Sequence, residues 1–259
     1  MARGKAMKSS KTSVQKQPDL TIIVPALNEE NRIGKSLDTL AFFLKNDGFF
    51  KHKTVEVVVV AADTLDRTHE IVVKKQSAFH QLQLLKPGIA VGKGRDVQYG
   101  MRRATGRIII FMDADLATPL WHLREFYNEC SGENDIVIGT RNLRKYRSSQ
   151  LRSLYSSFGN LLYRLSGGIN VEDTQCGFKM FTAPAAKLCF SKMTILGWGF
   201  DLEILTIARV NRLKIKAVRI DDYTHMPYST HTDGVFRIAI RSISDLTRIT
   251  SKRLGRRYS

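Results

Sequence analysis

The segment IIIFMDADLATP at residues 108–119 decides how the rest of the chain is read: an apolar run leads into two carboxylates one residue apart. A short apolar, β-branched run closed by turn-forming residues predicts a buried strand, with Asp113 and Asp115 at its end. In an extended chain residues i and i+2 point the same way. Both carboxylates are therefore expected on one side, with the small Ala114 keeping the turn open between them. Hard oxygen donors of this kind suit Mg²⁺ or Mn²⁺, cations that share their coordination sphere with substrate phosphates. An Asp-x-Asp triplet also arises by chance, so its surroundings must decide between metal ligation and a simple turn.

Outward from this strand, apolar runs alternate with segments of helical period. TIIVPALN, VEVVVVAA, LQLLK and DIVIGT read as strands, and RIGKSLDTLAFFLKN, RTHEIVVKKQSAF, GRDVQYGMRRAT and LWHLREFYNEC as helices. Such alternation argues for an α/β fold with a mostly parallel central sheet and right-handed crossovers. Ligands of such sheets bind at the carboxyl ends of the strands, where Asn28, Asp63, Asp113 and Asp115 all fall. Aspartates at strand ends also serve as helix caps and turn formers. Beyond Arg141 the pattern changes. Residues 151–168 are expected to form an amphipathic helix with a Gly167-Gly168 stop, CGFKMF and IKAVRI read as further strands, and FDLEILTIARVNR as a helix between them. From Val235 a basic amphipathic helix is expected, with Phe236, Ile240, Ile243 and Ile249 near one face.

The domain division that follows is a basic tail over residues 1–18, a catalytic α/β domain over 19–232, and a basic amphipathic helix and tail over 233–259. The first twenty residues lack the apolar core of a signal peptide, and no window approaches the roughly eighteen uninterrupted apolar residues of a membrane span. Cys130, Cys176 and Cys189 are odd in number and lack metal-ligand spacing, which fits free thiols in a reducing compartment. The formal net charge of +17 concentrates at the two ends and in one internal stretch. It calls for an anionic partner (nucleic acid, an anionic membrane or a phosphorylated substrate) or simply keeps the protein soluble. Nucleic acid is disfavoured, because the basic residues are not interleaved with an aromatic platform.

The segment KPGIAVGKGRD is not a nucleotide-binding P-loop: Gly88 to Gly92 is one residue short, and Gly94 stands where Ser or Thr must hold magnesium. The dinucleotide fingerprint also fails, with Val97 at its third glycine position. What remains is a glycine-rich strand-to-helix turn, either a turn alone or one that offers Lys93 to a phosphate.

Five motifs in order give these features a common context. IIVPALNEE, VGKGRDVQYGMRRATG, FMDADLATP, VIGTRN, and VEDTQCGFKMF with GWGFDLEILTIA resemble the inverting, metal-dependent family-2 glycosyltransferases of GT-A fold. The similarity covers roughly residues 20–226 and is greatest to the polyprenyl-phosphate sugar transferases, in particular the dolichyl-phosphate glucosyltransferases, with the mannosyltransferases next. The resemblance implies that Pro25 and Glu29 border the nucleobase, with Ala26, Leu27, Asn28, Ala62, Asp63, Lys93 and Ala114 also on the nucleotide sugar. Asp113 and Asp115 would hold Mg²⁺ or Mn²⁺ on the diphosphate. Arg141, Arg152 and Ser156 match positions that grip the acceptor phosphate; Arg152 and Ser156, four apart on the expected helix, share a face. Two departures stand out. Leu27 replaces a usual Tyr, and Ala61-Ala62 replace an acidic pair of which the second usually hydrogen-bonds the base; Asp63 could substitute if the turn is shortened.

On this reading a sugar, glucose from UDP-glucose or mannose from GDP-mannose, moves to a polyprenyl phosphate. Lys93 and the cation stabilise the leaving diphosphate. An acceptor phosphate, already anionic, needs alignment by Arg141 and Arg152 more than it needs a base. Asp173 and Asp201 are the candidate carboxylates beside the acceptor, and a hydroxyl acceptor would require one of them as general base. The expected location is the cytoplasm, at the cytoplasmic face of a membrane, with the tail helix on anionic lipid and attachment reversible. A transferase to a soluble glycan and a non-catalytic binding or scaffold protein are the competing readings. The sugar, lipid length and oligomeric state are left open by the sequence.

Overall fold

The computed structural model describes residues 17–141, 173–197, 199–224 and 235–258. Seven strands form one sheet: β1 (Leu20–Pro25), β2 (Val55–Val60), β3 (Leu82–Leu85), β4 (Ile108–Met112), β5 (Ile136–Arg141), β6 (Phe178–Thr182) and β7 (Ile215–Ile220). Their order is β3-β2-β1-β4-β6-β5-β7. All neighbours are parallel except β6, which runs antiparallel to both β4 and β5. Among the described residues seven α-helices accompany them: α1 (Ile33–Asn46), α2 (Thr68–Lys75), α3 (Lys93–Met101), α4 (His122–Ser131), α5 (Ala183–Lys192), α6 (Phe200–Val210) and α7 (Val235–Leu254).

Every residue of β2 and β4 is buried, as the unbroken apolar runs VEVVVV and IIIFM require of strands covered on both faces. Alternate residues feed two cores. Ile22, Val57, Val59 and Ile110 pack on one side with Leu37 of α1 and Phe126 of α4. Ile23, Val58, Val60 and Phe111 pack on the other with Val97 of α3 and Phe200 of α6. Polar groups fasten the edge away from the site. Buried Glu56 accepts from Thr21 Oγ1 at 2.6 Å and from Thr105 Oγ1 at 3.1 Å, tying the segment after α3 to the beginnings of β1 and β2. The helix thus runs back along the sheet, with its N-terminus at the carboxyl ends of the strands.

All seven strands expected from the sequence are present. One helix was not anticipated: α5, whose Thr182 cap accepts from Ala185 N and whose Pro184 sits in the first turn. Threonine followed by proline is a helix-start signal. The second half of α7 packs on the domain. Ile249, expected on a lipid-facing side, is fully buried, and Tyr258 beyond the helix is buried with it in the α3–α6 core. The expected helix at residues 151–168, and with it Arg152 and Ser156, lies outside the described residues.

Candidate active site

The sheet order reverses at β1, with β2 and β3 on one side and β4 on the other, and the candidate residues collect at that switch point. β1 delivers Pro25, Ala26, Leu27, Asn28 and Glu29; β2 delivers Ala61, Ala62 and Asp63; β4 delivers Asp113 and Asp115; β5 delivers Arg141. The loops after β1 and β2 are laced together. Asn28, at φ 55°, accepts from Leu65 N at 2.9 Å, Asp66 accepts from Glu30 N at 2.9 Å, and Thr68 Oγ1 accepts from Glu29 N at 2.8 Å.

The two central aspartates are not presented by an extended strand, as period 2 suggested. β4 ends at Met112, and the chain turns: Leu116 N donates to Asp113 O at 3.3 Å, and Leu116 takes φ 52°. Asp115 accepts from Ala117 N at 3.0 Å, and Ala114 is buried in the core beneath the turn. The antiparallel neighbour shapes the other side. Asp113 N donates to Gly177 O at 3.1 Å, and a Cβ at Gly177 would run into the Asp113 carboxylate.

Charge in this cluster is opposed and unevenly matched. Lys93, in the first turn of α3, makes an ion pair with Asp113. Burial pulls the Lys93 pKa down, but Asp113, Asp201 and Asp115 more than offset it, so the ammonium titrates above its ordinary value. Burial and the neighbouring Asp113 push Asp115 up. Glu29 is also raised, by burial and by Asp115 and Asp113, against the opposing pull of Arg32, which it binds at 2.7 Å. The mutual repulsion of Asp113 and Asp115 suits a divalent cation, which these two would hold together with phosphate oxygens and water. Among the described residues no group of three or more His, Cys, Asp or Glu side chains is placed to hold a metal ion by itself.

On the far side, Arg141 binds buried Asp173 through Nε at 2.5 Å and Nη2 at 3.0 Å, and its guanidinium lies 5.1 Å from the Tyr223 ring. Burial opposes the charge of Arg141, and the Asp173 carboxylate restores it, leaving the pKa raised. Thr224 N donates to Ala117 O at 2.8 Å, which draws the segment after β7 across the Asp113–Asp115 turn. A cleft lies there, lined by Asp113, Leu116, Ala117, Gly177 and Tyr223 among others. Asp201, in the first turn of α6, is buried and binds fully buried Lys179 at 2.5 Å; burial raises its pKa against the pull of Lys179 and Lys93. Asp173 and Asp201 thus each face a cation instead of standing open beside an acceptor.

The departures noted at β2 have a structural counterpart. Ala61 and Ala62 are fully buried, and His69 Nε2 lies 3.1 and 3.0 Å from their carbonyl oxygens. Asp63 is exposed, its N–H bound to Gly88 O at 2.9 Å. Three residues at the site carry no local signal in the sequence: Lys179 lies within a strand, Tyr223 past the last motif, and Asp96 inside GKGRD. The three cysteines are buried and unbridged; burial pushes Cys130 and Cys189 up to about 12 and Cys176 to about 11, so they remain protonated thiols.

A doubly wound sheet with an Asp-x-Asp turn at its switch point, a lysine on one side and an arginine on the other, defines a nucleotide-sugar transferase of GT-A fold. Residues 21–189 match the model of "Glycosyl transferase family 2", and the chain belongs to that family. It is a hexosyltransferase. Two dolichyl-phosphate beta-glucosyltransferases of Trichomonas vaginalis are similar to it. One is 31% identical over 89% of this chain and 72% of its own length; the other is 34% identical over 78% and 65%. The chain therefore spans about two thirds to three quarters of those relatives. A solved structure, glucosyl-3-phosphoglycerate synthase from Mycobacterium tuberculosis in complex with Mn²⁺, UDP and glucosyl-3-phosphoglycerate, superposes with a TM-score of 0.65. It shares 17% identity and covers 90% of this chain and 80% of that one, a likeness of fold.

Proposed function

We propose that this protein transfers glucose from UDP-glucose to a dolichyl or related polyprenyl phosphate at a membrane surface, with inversion and in the presence of Mg²⁺ or Mn²⁺. The observation that carries the reading is the pairing of the inner carboxylates. Asp173 is held by Arg141 and Asp201 by Lys179, so neither is poised to deprotonate an alcohol. A phosphate monoester acceptor is already an anion at neutral pH and needs no base. The identity of the similar transferases from Trichomonas vaginalis supports the same acceptor class.

The donor diphosphate would lie between Lys93 and the Asp113–Asp115 turn. The bound cation would supply electrostatic stabilisation of the leaving nucleoside diphosphate. Lys93, now paired with Asp113, is within reach of the same charge and can exchange its carboxylate partner for a phosphate oxygen. Arg141, held by Asp173, stands on the Tyr223 side, where it aligns an incoming anion. Arg152 and Ser156 complete this acceptor grip in the proposal. In-line attack on the anomeric carbon from the side opposite the diphosphate inverts its configuration.

The test is sugar transfer from UDP-glucose with Mn²⁺ to dolichyl phosphate in liposomes, with dolichol and soluble glycans as alternative acceptors and GDP-mannose as alternative donor. We expect product with dolichyl phosphate alone, and a loss of at least 100-fold in rate for Asp113→Ala. Transfer to dolichol or a soluble glycan in preference to the phosphate would overturn the reading.

A further inference from the structure

Asp96 is a carboxylate without a partner. It is 3% exposed, its Oδ1 is sealed from solvent, and no side chain or backbone group in the described structure donates to it. A buried acid of this kind costs stability unless something supplies a donor.

Its position in the fold says what that donor is. A Cβ at Gly100 would touch Ile23 and Val60, so that side of α3 faces β1 and β2. Asp96 lies four residues earlier, about 40° round the helix, and so shares that side. It lies about 200° from Gly94, whose Cβ would meet the opposite wall at Gly197 and Phe200. Because α3 runs back along the sheet, one turn towards its N-terminus is a step of two residues towards the carboxyl ends of the strands. From Ile23 and Val60 that step reaches Pro25 and Ala62, and alternation keeps them on the same face. Asp96 therefore lies on the side of α3 directed towards the carboxyl ends of β1 and β2, beyond which Ala62 is buried and Pro25 half-buried, and one helical turn from Lys93.

We propose that Asp96 is the carboxylate that reads the base of the nucleoside diphosphate, acting from the first turn of α3 on the side that faces β1 and β2; this rests on the nucleotide-sugar reading above. A carboxylate accepts and cannot donate, so it selects a base presenting N–H on its pairing edge, as uracil and guanine do. It disfavours cytosine and adenine, which present a bare ring nitrogen there. Arg95, beside Asp96 on α3, opposes the effect of burial, and its guanidinium is engaged by the carbonyls of Pro87 and Ile89.

Calorimetric titration of the full chain with UDP, GDP, CDP and ADP in Mn²⁺ tests the assignment. Wild type should prefer UDP or GDP over CDP and ADP by at least 10-fold. Asp96→Asn, whose amide can donate, should weaken the preferred diphosphate about 10- to 100-fold and narrow or invert the UDP:CDP ratio. The double variant Asp96→Ala, Ala62→Asp should restore the preference. A UDP:CDP ratio unchanged in Asp96→Asn would overturn the assignment while leaving the transferase reading intact. Failure of the wild type to bind any nucleoside diphosphate would overturn both.

Discussion

Single side chains in this site are set by what surrounds them more than by their own type. Asp201 and Asp173 look alike in the sequence as candidate bases, and burial beside Lys179 and Arg141 makes both of them counter-ions. Asp96 has the opposite fate, with no cation to hold it, and burial raises its pKa to about 6. The sign of the consequence is fixed. The folded state binds its proton more tightly than the unfolded chain does, so Asp96 is harmless below about pH 4 and costs stability as pH rises through about 6. At pH 8 the cost is on the order of 3 kcal/mol. Asp96→Asn removes that titration. We expect wild type to lose stability relative to the variant between pH 4 and pH 7, measured by urea unfolding at several pH values without nucleotide. Parallel pH profiles for the two proteins would exclude the effect. Asp115, Asp201 and Glu29 are raised in the same direction, and the difference between the two profiles cancels their contribution.

At the scale of elements, the end of the chain supports the nucleotide side of the site. Tyr258 donates to Glu203 Oε1 at 2.7 Å, and Lys192 and Asn211 donate to the Tyr258 carbonyl at 2.9 and 2.8 Å. Glu203, fully buried on α6, also accepts from Thr194 N at 2.7 Å and Ile195 N at 2.6 Å. The next residue, Leu196, accepts from Arg95 N at 3.0 Å in the first turn of α3. A continuous set of contacts thus runs from the tail through α6 to the turn bearing Lys93 and Asp96. Tyr258→Phe removes one hydrogen bond to a buried carboxylate, so a destabilisation of about 1–3 kcal/mol is expected in denaturant unfolding. A change below about 0.5 kcal/mol would show that the tail end is not held by this bond. The sequence indicated the helix of α7 from its basic amphipathic pattern. It gave no sign that Ile249 and Tyr258 close a core, because an apolar face has the same period whether lipid or protein covers it.

For the molecule as a whole, two features meet: a strongly positive net charge and a site that is acidic at its centre. The chain carries a formal net charge of +17, and among the described residues no helix is long and apolar enough to cross a membrane. If the acceptor lies in a bilayer, attraction to anionic lipid is the means by which this charge brings the site to it. We expect pelleting with liposomes containing phosphatidylserine at low salt, lost by several-fold when ionic strength rises from about 0.05 M to 0.5 M, since screening shortens the reach of surface charge. Equal pelleting with neutral vesicles would assign attachment to apolar contact instead.

The sequence by itself determined the seven strands, their alternation with helices, the placing of Asn28, Glu29, Asp113, Asp115 and Arg141 at carboxyl ends, and the family. These follow from local periodicity and ordered motifs, which are properties of neighbours along the chain. Only the tertiary structure decided that β6 runs antiparallel between β4 and β5 and carries Gly177 against Asp113. It also decided which carboxylates have cations, and that an aspartate on α3 is buried with no described group donating to its Oδ1. Those are meetings between residues 20 to 64 positions apart. Pairing, burial and the resulting charge depend on which distant segments meet, and no local pattern encodes that.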